Sequence, residues 1–190
     1  MLLRRVMKYL VFSILLNLIF VSVIYAGDFR NLKWGMTQHD VVTLNGHPET
    51  ATPNKIVFGT MTQTYTYKDT ENDITYDLLF LENQLSNASY KISATKKAPA
   101  NYVQKKYREE TEILEERFEE PPVVEKMDNS TRKYTYEDSD TKVMVIYYNT
   151  PIKADYVNRS AYLNVTYSNA DPVLKAEIKN RKISRIKASQ

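Results

Sequence analysis

The sequence predicts an α+β fold of two tandem repeats, each a helical element packed on a four-stranded antiparallel sheet. Three observations carry that expectation. Segments rich in Val, Ile, Thr, Tyr and Phe recur in two groups of four, the pattern of strands. A helical segment precedes each group. Tyr65-Thr66-Tyr67-Lys68-Asp69 is echoed by Tyr134-Thr135-Tyr136-Glu137-Asp138, 69 positions further along, and each copy leads into a polar turn and an apolar strand. The 190 residues then divide into an N-terminal segment 1–26, a first repeat 27–98, a second repeat 99–170 and a basic C-terminal helix or tail 171–190.

Each element has a local reason. Thr37 is a good N-cap with Asp40 three residues later, close to a capping box. Val41, Val42 and Leu44 give the short helix an apolar face, Asn45-Gly46 ends it, and Pro48 prevents continuation. Strands are expected over Lys55–Met61, Gln63–Tyr67, Ile74–Leu81 and Leu85–Ser93, with turns at Asp69–Asp73 and Glu82-Asn83. Ile74, Tyr76, Leu78 and Phe80 alternate with Thr75, Asp77, Leu79 and Leu81, which reads as a sheet packed on one side and partly wet on the other. A long helix follows over about Ala100–Glu120, with Val103, Tyr107, Leu114 and Phe118 as its buried stripe and Pro121-Pro122 as its stop. Strands return at Val123–Lys126, Thr131–Glu137, Lys142–Tyr148 and Ala161–Ser168. Asp171-Pro172 then opens a last helix as N-cap and N1, with Leu174, Ile178 and Ile186 as a thin apolar stripe.

Residues 1–26 read as an export signal. Arg4, Arg5 and Lys8 make a basic start, Tyr9–Tyr25 is almost wholly apolar, and Ala26 precedes the return of polarity at Gly27-Asp28. The apolar run of about 17 residues is also the lower limit for spanning a bilayer, so an uncut segment would serve as an N-terminal anchor. Either way residues 27–190 are expected outside the cytoplasm, periplasmic or secreted. No acid falls in the segment, so residues 27–190 carry 23 Lys and Arg against 23 Asp and Glu. That balance disfavours nucleic acid, which demands a net basic surface. The chain has no cysteine, which excludes disulfides, thiolate metal sites, a cysteine nucleophile and a lipidated cysteine.

The stretch Phe29-Arg30-Asn31-Leu32-Lys33-Trp34-Gly35-Met36-Thr37, leading to Val41, resembles the opening of many small exported bacterial proteins. They carry a Phe-Arg-x-x-x-Trp-Gly-Met-Ser/Thr-x-x-x-Val signature before a short helix and Gly-x-Pro, here Gly46-His47-Pro48. The tandem element order resembles the β-lactamase-inhibitor-protein-like architecture, and one repeat is similar to the SmpA/OmlA-type subunit of outer-membrane assembly. The resemblance implies an exported protein that binds another protein. This chain lacks the lipoprotein cysteine of the assembly subunit and the disulfides of the inhibitor, so neither specific role carries over.

Candidate chemistry is sparse. His39 and His47 are the only histidines and flank the first helix. A zinc site needs three or four ligands, and with only Asp40 and Glu49 to add, both read as surface residues. No Gly-x-Ser-x-Gly elbow exists, and Gly27, Gly35, Gly46 and Gly59 are too scattered for a phosphate loop. Glu109, Glu110, Glu112, Glu115, Glu116, Glu119 and Glu120 crowd one segment. Glu115, Glu116, Glu119 and Glu120 could pair as general acid and base, but with Lys105, Lys106 and Arg117 interleaved they read as a solvated helical face. Trp34-Gly35-Met36 reads as a plug for the end of a core. Lys175, Lys179, Arg181, Lys182, Arg185 and Lys187 make the C-terminus basic, which suits a solvated end, an anionic lipid or an acidic partner.

The fifteen tyrosines are the largest excess. Ten fall on expected strands: Tyr65, Tyr67, Tyr76, Tyr90, Tyr134, Tyr136, Tyr147, Tyr148, Tyr162 and Tyr167. If helices cover one sheet face, tyrosines on the other make an adhesive surface, and the echoed Tyr65, Tyr67, Tyr134 and Tyr136 are the expected protein-binding residues. The expectation is therefore a non-catalytic envelope protein with no cofactor and no metal. Its partner is another envelope or secreted protein, with membrane contact only through an uncut N-terminal segment. The alternative is a membrane-anchored structural or assembly factor of the envelope.

Overall fold

Thr37 and Asp40 cap the first helix, α1 (Gln38–Asn45), reciprocally. Thr37 Oγ1 accepts the Asp40 N–H at 3.2 Å, and Asp40 Oδ2 accepts the Thr37 N–H at 2.9 Å. Two donors that a helix start leaves orphaned are thereby satisfied. Gly46 ends the helix at φ 77°, where a side chain would be strained, and donates its N–H to Val42 O at 2.9 Å.

The computed structural model describes residues 29–70, 73–95, 99–149 and 160–189. The N-terminal segment 1–26 and the middle of the turn over 69–73 lie outside the described residues. The chain divides after Lys33. In the first unit, Phe29 and Leu32 bridge each other across Arg30 and Asn31, both at positive φ. The second unit is Trp34–Gln190.

After α1 come β1 (Thr50–Ala51), β2 (Lys55–Val57), β3 (Thr60–Asp69), β4 (Ile74–Leu81) and β5 (Gln84–Ser93). The long helix α2 (Ala100–Arg117) follows, then β6 (Val123–Lys126), β7 (Thr131–Glu137), β8 (Thr141–Asn149), β9 (Ala161–Asn169) and the last helix α3 (Pro172–Ala188). The strand expected over Lys55–Met61 is broken in two. Phe58 and Gly59 sit at φ 47° and 75° between the paired Val57 and Thr60, a two-residue turn whose twist matches the strands it joins. Glu82 and Asn83 make the same kind of turn between Leu81 and Gln84. The long helix stops at Arg117, short of the expected Glu120, because Phe118 turns into extended backbone and sets its ring 5.7 Å from that of Tyr136.

The fold is mixed helix and sheet, as expected, but the two groups of strands do not form separate sheets. All nine strands among the described residues join one antiparallel sheet in the order β1-β3-β4-β5-β9-β8-β7-β6, with β2 also on the outer edge of β3. Its centre is the β5–β9 ladder, running from Asn87 opposite Ser168 to Ser93 opposite Tyr162.

Helix α2 packs on β9 and β5. Its Val103 and Leu114 are fully buried, as are Leu78, Val143, Val145, Leu163 and Val165. Burial of each such side chain contributes about 1.5–3 kcal/mol. Helix α3 crosses the end of the sheet where the β2–β3 and β4–β5 turns lie, reaching Gln84 with Glu177 and the two turns with Lys182 and Arg185. Asp171 caps it through the Val173 N–H. Among the described residues no helix is long and apolar enough to cross a membrane.

Candidate functional site

Strand register settles which tyrosines face which way. One row across the sheet reads Tyr67, Tyr76, Tyr90, Val165, Val145, Tyr134. The next reads Tyr65, Leu78, Ala88, Tyr167, Val143, Tyr136. Directly paired residues point to the same side, and this side lies under α2. Tyr107 of α2 stacks on Tyr147 with centroids 4.2 Å apart and tilts against Tyr134 at 5.7 Å.

All four echoed tyrosines therefore stand on the helix-side face. Tyr67 is 5% exposed and Tyr136 2% exposed, so neither offers its ring to a partner, and Tyr65 and Tyr134 are half-buried. The physical reason is that alternation fixes only which residues share a face, and the helix then covers the more apolar one.

Burial raises the Tyr67 hydroxyl to about 12, with Tyr76 and Tyr65 adding to it. Burial likewise raises Tyr136 to about 12, reinforced by Glu115, Tyr134 and Glu110. Tyr107 and Tyr147 are also pushed up, chiefly by burial. These phenols are neutral at ordinary pH and act as core groups. The Tyr136 hydroxyl is buried without a hydrogen-bond partner.

Glu110 belongs to the acid-rich segment of the long helix. It turns inward, and its two carboxylate oxygens accept the hydroxyls of Tyr90 and Tyr167. The signal was present in the spacing: Val103, Tyr107, Glu110 and Leu114 follow the i, i+4, i+7, i+11 pattern of one helix face. The acid fills the gap in the apolar stripe. Glu112, Glu115, Glu116, Glu119 and Glu120 are exposed, and Glu109 pairs with Lys105 and Lys106.

Among the described residues no helix covers the opposite face of the sheet. One row across seven strands reads Thr66, Asp77, Ser89, Thr166, Met144, Thr135, Val123. The next holds Lys91, Asn164, Ile146, Lys133 and Glu125, and the next Ser93, Tyr162 and Tyr148 before it reaches Thr131, which is buried. All of these but Thr131 are half-buried or exposed. Short polar pairs tie the face laterally: Thr66 donates to Asp77 at 2.6 Å and Asn87 to Ser168 at 2.9 Å. Two of the ten strand tyrosines lie here. Tyr148 and Tyr162 stack at 5.1 Å, and Lys91 Nζ sits 5.0 Å from the Tyr162 ring centre.

His39 and His47 are both exposed, and no group of three or more potential metal ligands occurs among the described residues. Trp34 donates its indole N–H to Thr141 Oγ1 at 2.9 Å, at the start of β8. No protein-family model, curated protein or solved structure matches this chain.

A buried ion pair fastens α3. The Glu82 side chain, 3% exposed, accepts from Arg185 Nε at 3.1 Å and from the Met61 N–H at 2.9 Å. Burial by itself would raise the Glu82 carboxyl. The Arg185 and Met61 hydrogen bonds, with the charges of Arg185 and Lys182, outweigh it and hold the group below its ordinary value.

Proposed function

We propose that this chain is an exported, non-catalytic protein-binding module that uses the open face of its sheet. One observation carries the reading: a face seven strands wide, about 30 Å at the usual strand spacing, that no helix covers among the described residues and that presents the stacked Tyr148 and Tyr162 beside Lys91. A standard interface needs about 800 Å² from each partner, and this face offers that extent. Tyrosine suits such a surface because it buries large area at low rotamer cost. Threonine, serine and asparagine around it supply adaptable hydrogen bonds. In this reading residues 1–26 are an export signal and the partner is another envelope or secreted protein.

The tandem repeat belongs to the same proposal. Tyr65 shares a register row with Tyr136, and Tyr67 shares one with Tyr134. A half-turn about the β5–β9 ladder would exchange each echoed residue with its counterpart, as two copies of one unit require. The resemblance to exported β-lactamase-inhibitor-protein-like chains agrees with both statements.

The test is photocrosslinking in the native envelope, with p-benzoylphenylalanine replacing Tyr162 in one chain and Tyr65 in another. A specific adduct from position 162, lost in a folded Tyr148→Ser variant, supports the open face. Adducts from position 65 alone, or none from 162, remove the reading.

A further inference from the structure

We propose that the end of the sheet formed by the β2–β3 turn and α3 docks on an anionic lipid surface, with Phe58 inserted among the headgroups. This site is separate from the open face.

The first observation is Phe58 itself. It is 97% exposed and sits at φ 47°, the first position of a two-residue turn. That position favours Asn, Asp or Gly, and a bulky ring there is a costly outlier. Ile56 and Val57 beside it are exposed too. An aromatic side chain that strains its backbone and buries nothing within its own chain points to an external partner.

The second observation is the helix that holds this turn. Lys182 Nζ donates to Phe58 O at 2.8 Å, and Arg185 Nη2 donates to Gly59 O at 2.6 Å. The turn is thus pinned to α3 rather than free. At about 100° per residue, Lys175, Lys179, Ile183, Ile186 and Lys187 fall within one arc of about 120° that runs from the edge of the buried line of Leu174 and Ile178 round to the far side of that helix. Ile183 and Ile186 are exposed. Glu177, the one acid of α3, is engaged by Arg181 at 2.7 Å. Lys175, Lys179 and Lys187 have no acidic partner among the described residues.

Lysines interleaved with exposed aliphatic side chains are the composition of a helix lying in a membrane interface, where long cationic stems reach headgroups while apolar groups sink. The convex tip at Phe58 needs a yielding apolar phase, which a bilayer supplies and a flat acidic protein does not. Charge complementarity selects anionic lipid.

The chain has no cysteine, so Val57→Cys takes a single environment-sensitive fluorophore, with Thr75→Cys as the control site. In the full chain the apolar segment Tyr9–Tyr25 can hold either vesicle type, so the local emission at each label is the readout. On vesicles of phosphatidylglycerol with phosphatidylcholine, the label at 57 shifts to shorter wavelength and the label at 75 does not. The shift is absent on phosphatidylcholine alone and is lost in high salt. Replacing Lys175, Lys179 and Lys187 by Gln lowers the shifted fraction about tenfold or more. Phe58→Asn raises the melting temperature, since Asn accepts positive φ, yet removes the shift; a structural role for Phe58 gives the reverse. The proposal is overturned by no shift on anionic vesicles, by equal shifts on both lipids, or by a shift on soluble polyglutamate without one on vesicles, which would mark an acidic protein partner.

Discussion

Arg185→Met tests whether α3 is fastened by charge. The substitution keeps the length of the stem and removes the guanidinium, leaving the Glu82 carboxylate buried with the Met61 N–H and the nearby Lys182 charge as its remaining support. Arg185 also loses its bond to Gly59 O at 2.6 Å. Breaking a buried pair by removing one partner costs about 3–5 kcal/mol. Arg185 keeps 28% of its side chain in water, so the low end applies, and the expected loss at pH 7 is about 3 kcal/mol. Replacing both partners, as Glu82→Gln with Arg185→Met, removes the stranded charge and recovers about half of that. The pH dependence has a definite sign. Glu82 is held below its ordinary value in the folded state, so its contribution is present above the unfolded pKa of about 4.3 and is lost as pH falls through the lower folded value. Urea unfolding at pH 7 and pH 3, followed by circular dichroism, measures both effects. A loss under about 0.5 kcal/mol at pH 7, or a gap between wild type and Arg185→Met as wide at pH 3 as at pH 7, refutes the reasoning.

Three further outcomes are expected. Glu110→Ala takes this acceptor from the hydroxyls of Tyr90 and Tyr167 and costs about 2–6 kcal/mol in urea unfolding, at about 1–3 for each of the two bonds lost; Glu110→Gln costs less. Leu114→Ala opens a cavity under α2, where the side chain is wholly buried, and destabilises by about 2–5 kcal/mol. In alkali, Tyr67 and Tyr136, each raised to about 12, keep their protons in the folded state after exposed tyrosines have lost theirs. Their stabilisation is complete below the unfolded pKa of about 10 and is lost as pH rises toward 12. Absorbance at tyrosinate wavelengths then shows a late step coincident with unfolding.

The elements were legible because their causes are local. Thr37 with Asp40, Gly46 and Asp171-Pro172 mark helix ends through hydrogen bonds and fixed dihedrals within a few residues, whereas Pro121-Pro122 only bounds a helix that Phe118 ends earlier. The alternation in Ile74–Leu81 reports which residues share a face. The turn at Phe58-Gly59 was hidden because an apolar Phe at the turn makes the run look continuous. Glu110 was hidden because its neighbours in sequence are solvated acids, although its helical phase matched the buried stripe.

Local sequence carried the three helices and most of the strands in order, the sharing of faces within each strand, and the charge and redox chemistry available. Tertiary structure alone decided the rest. Whether Tyr67 and Tyr136 are core while Tyr148 and Tyr162 face outward depends on the side on which α2 packs. That choice is made by total apolar area across strands distant in the chain, not by any one strand's period. The joining of β5 to β9 and the pairing of Glu82 with Arg185, 103 residues apart, have the same character. Each is a long-range contact whose partners leave no mark on the residues beside them.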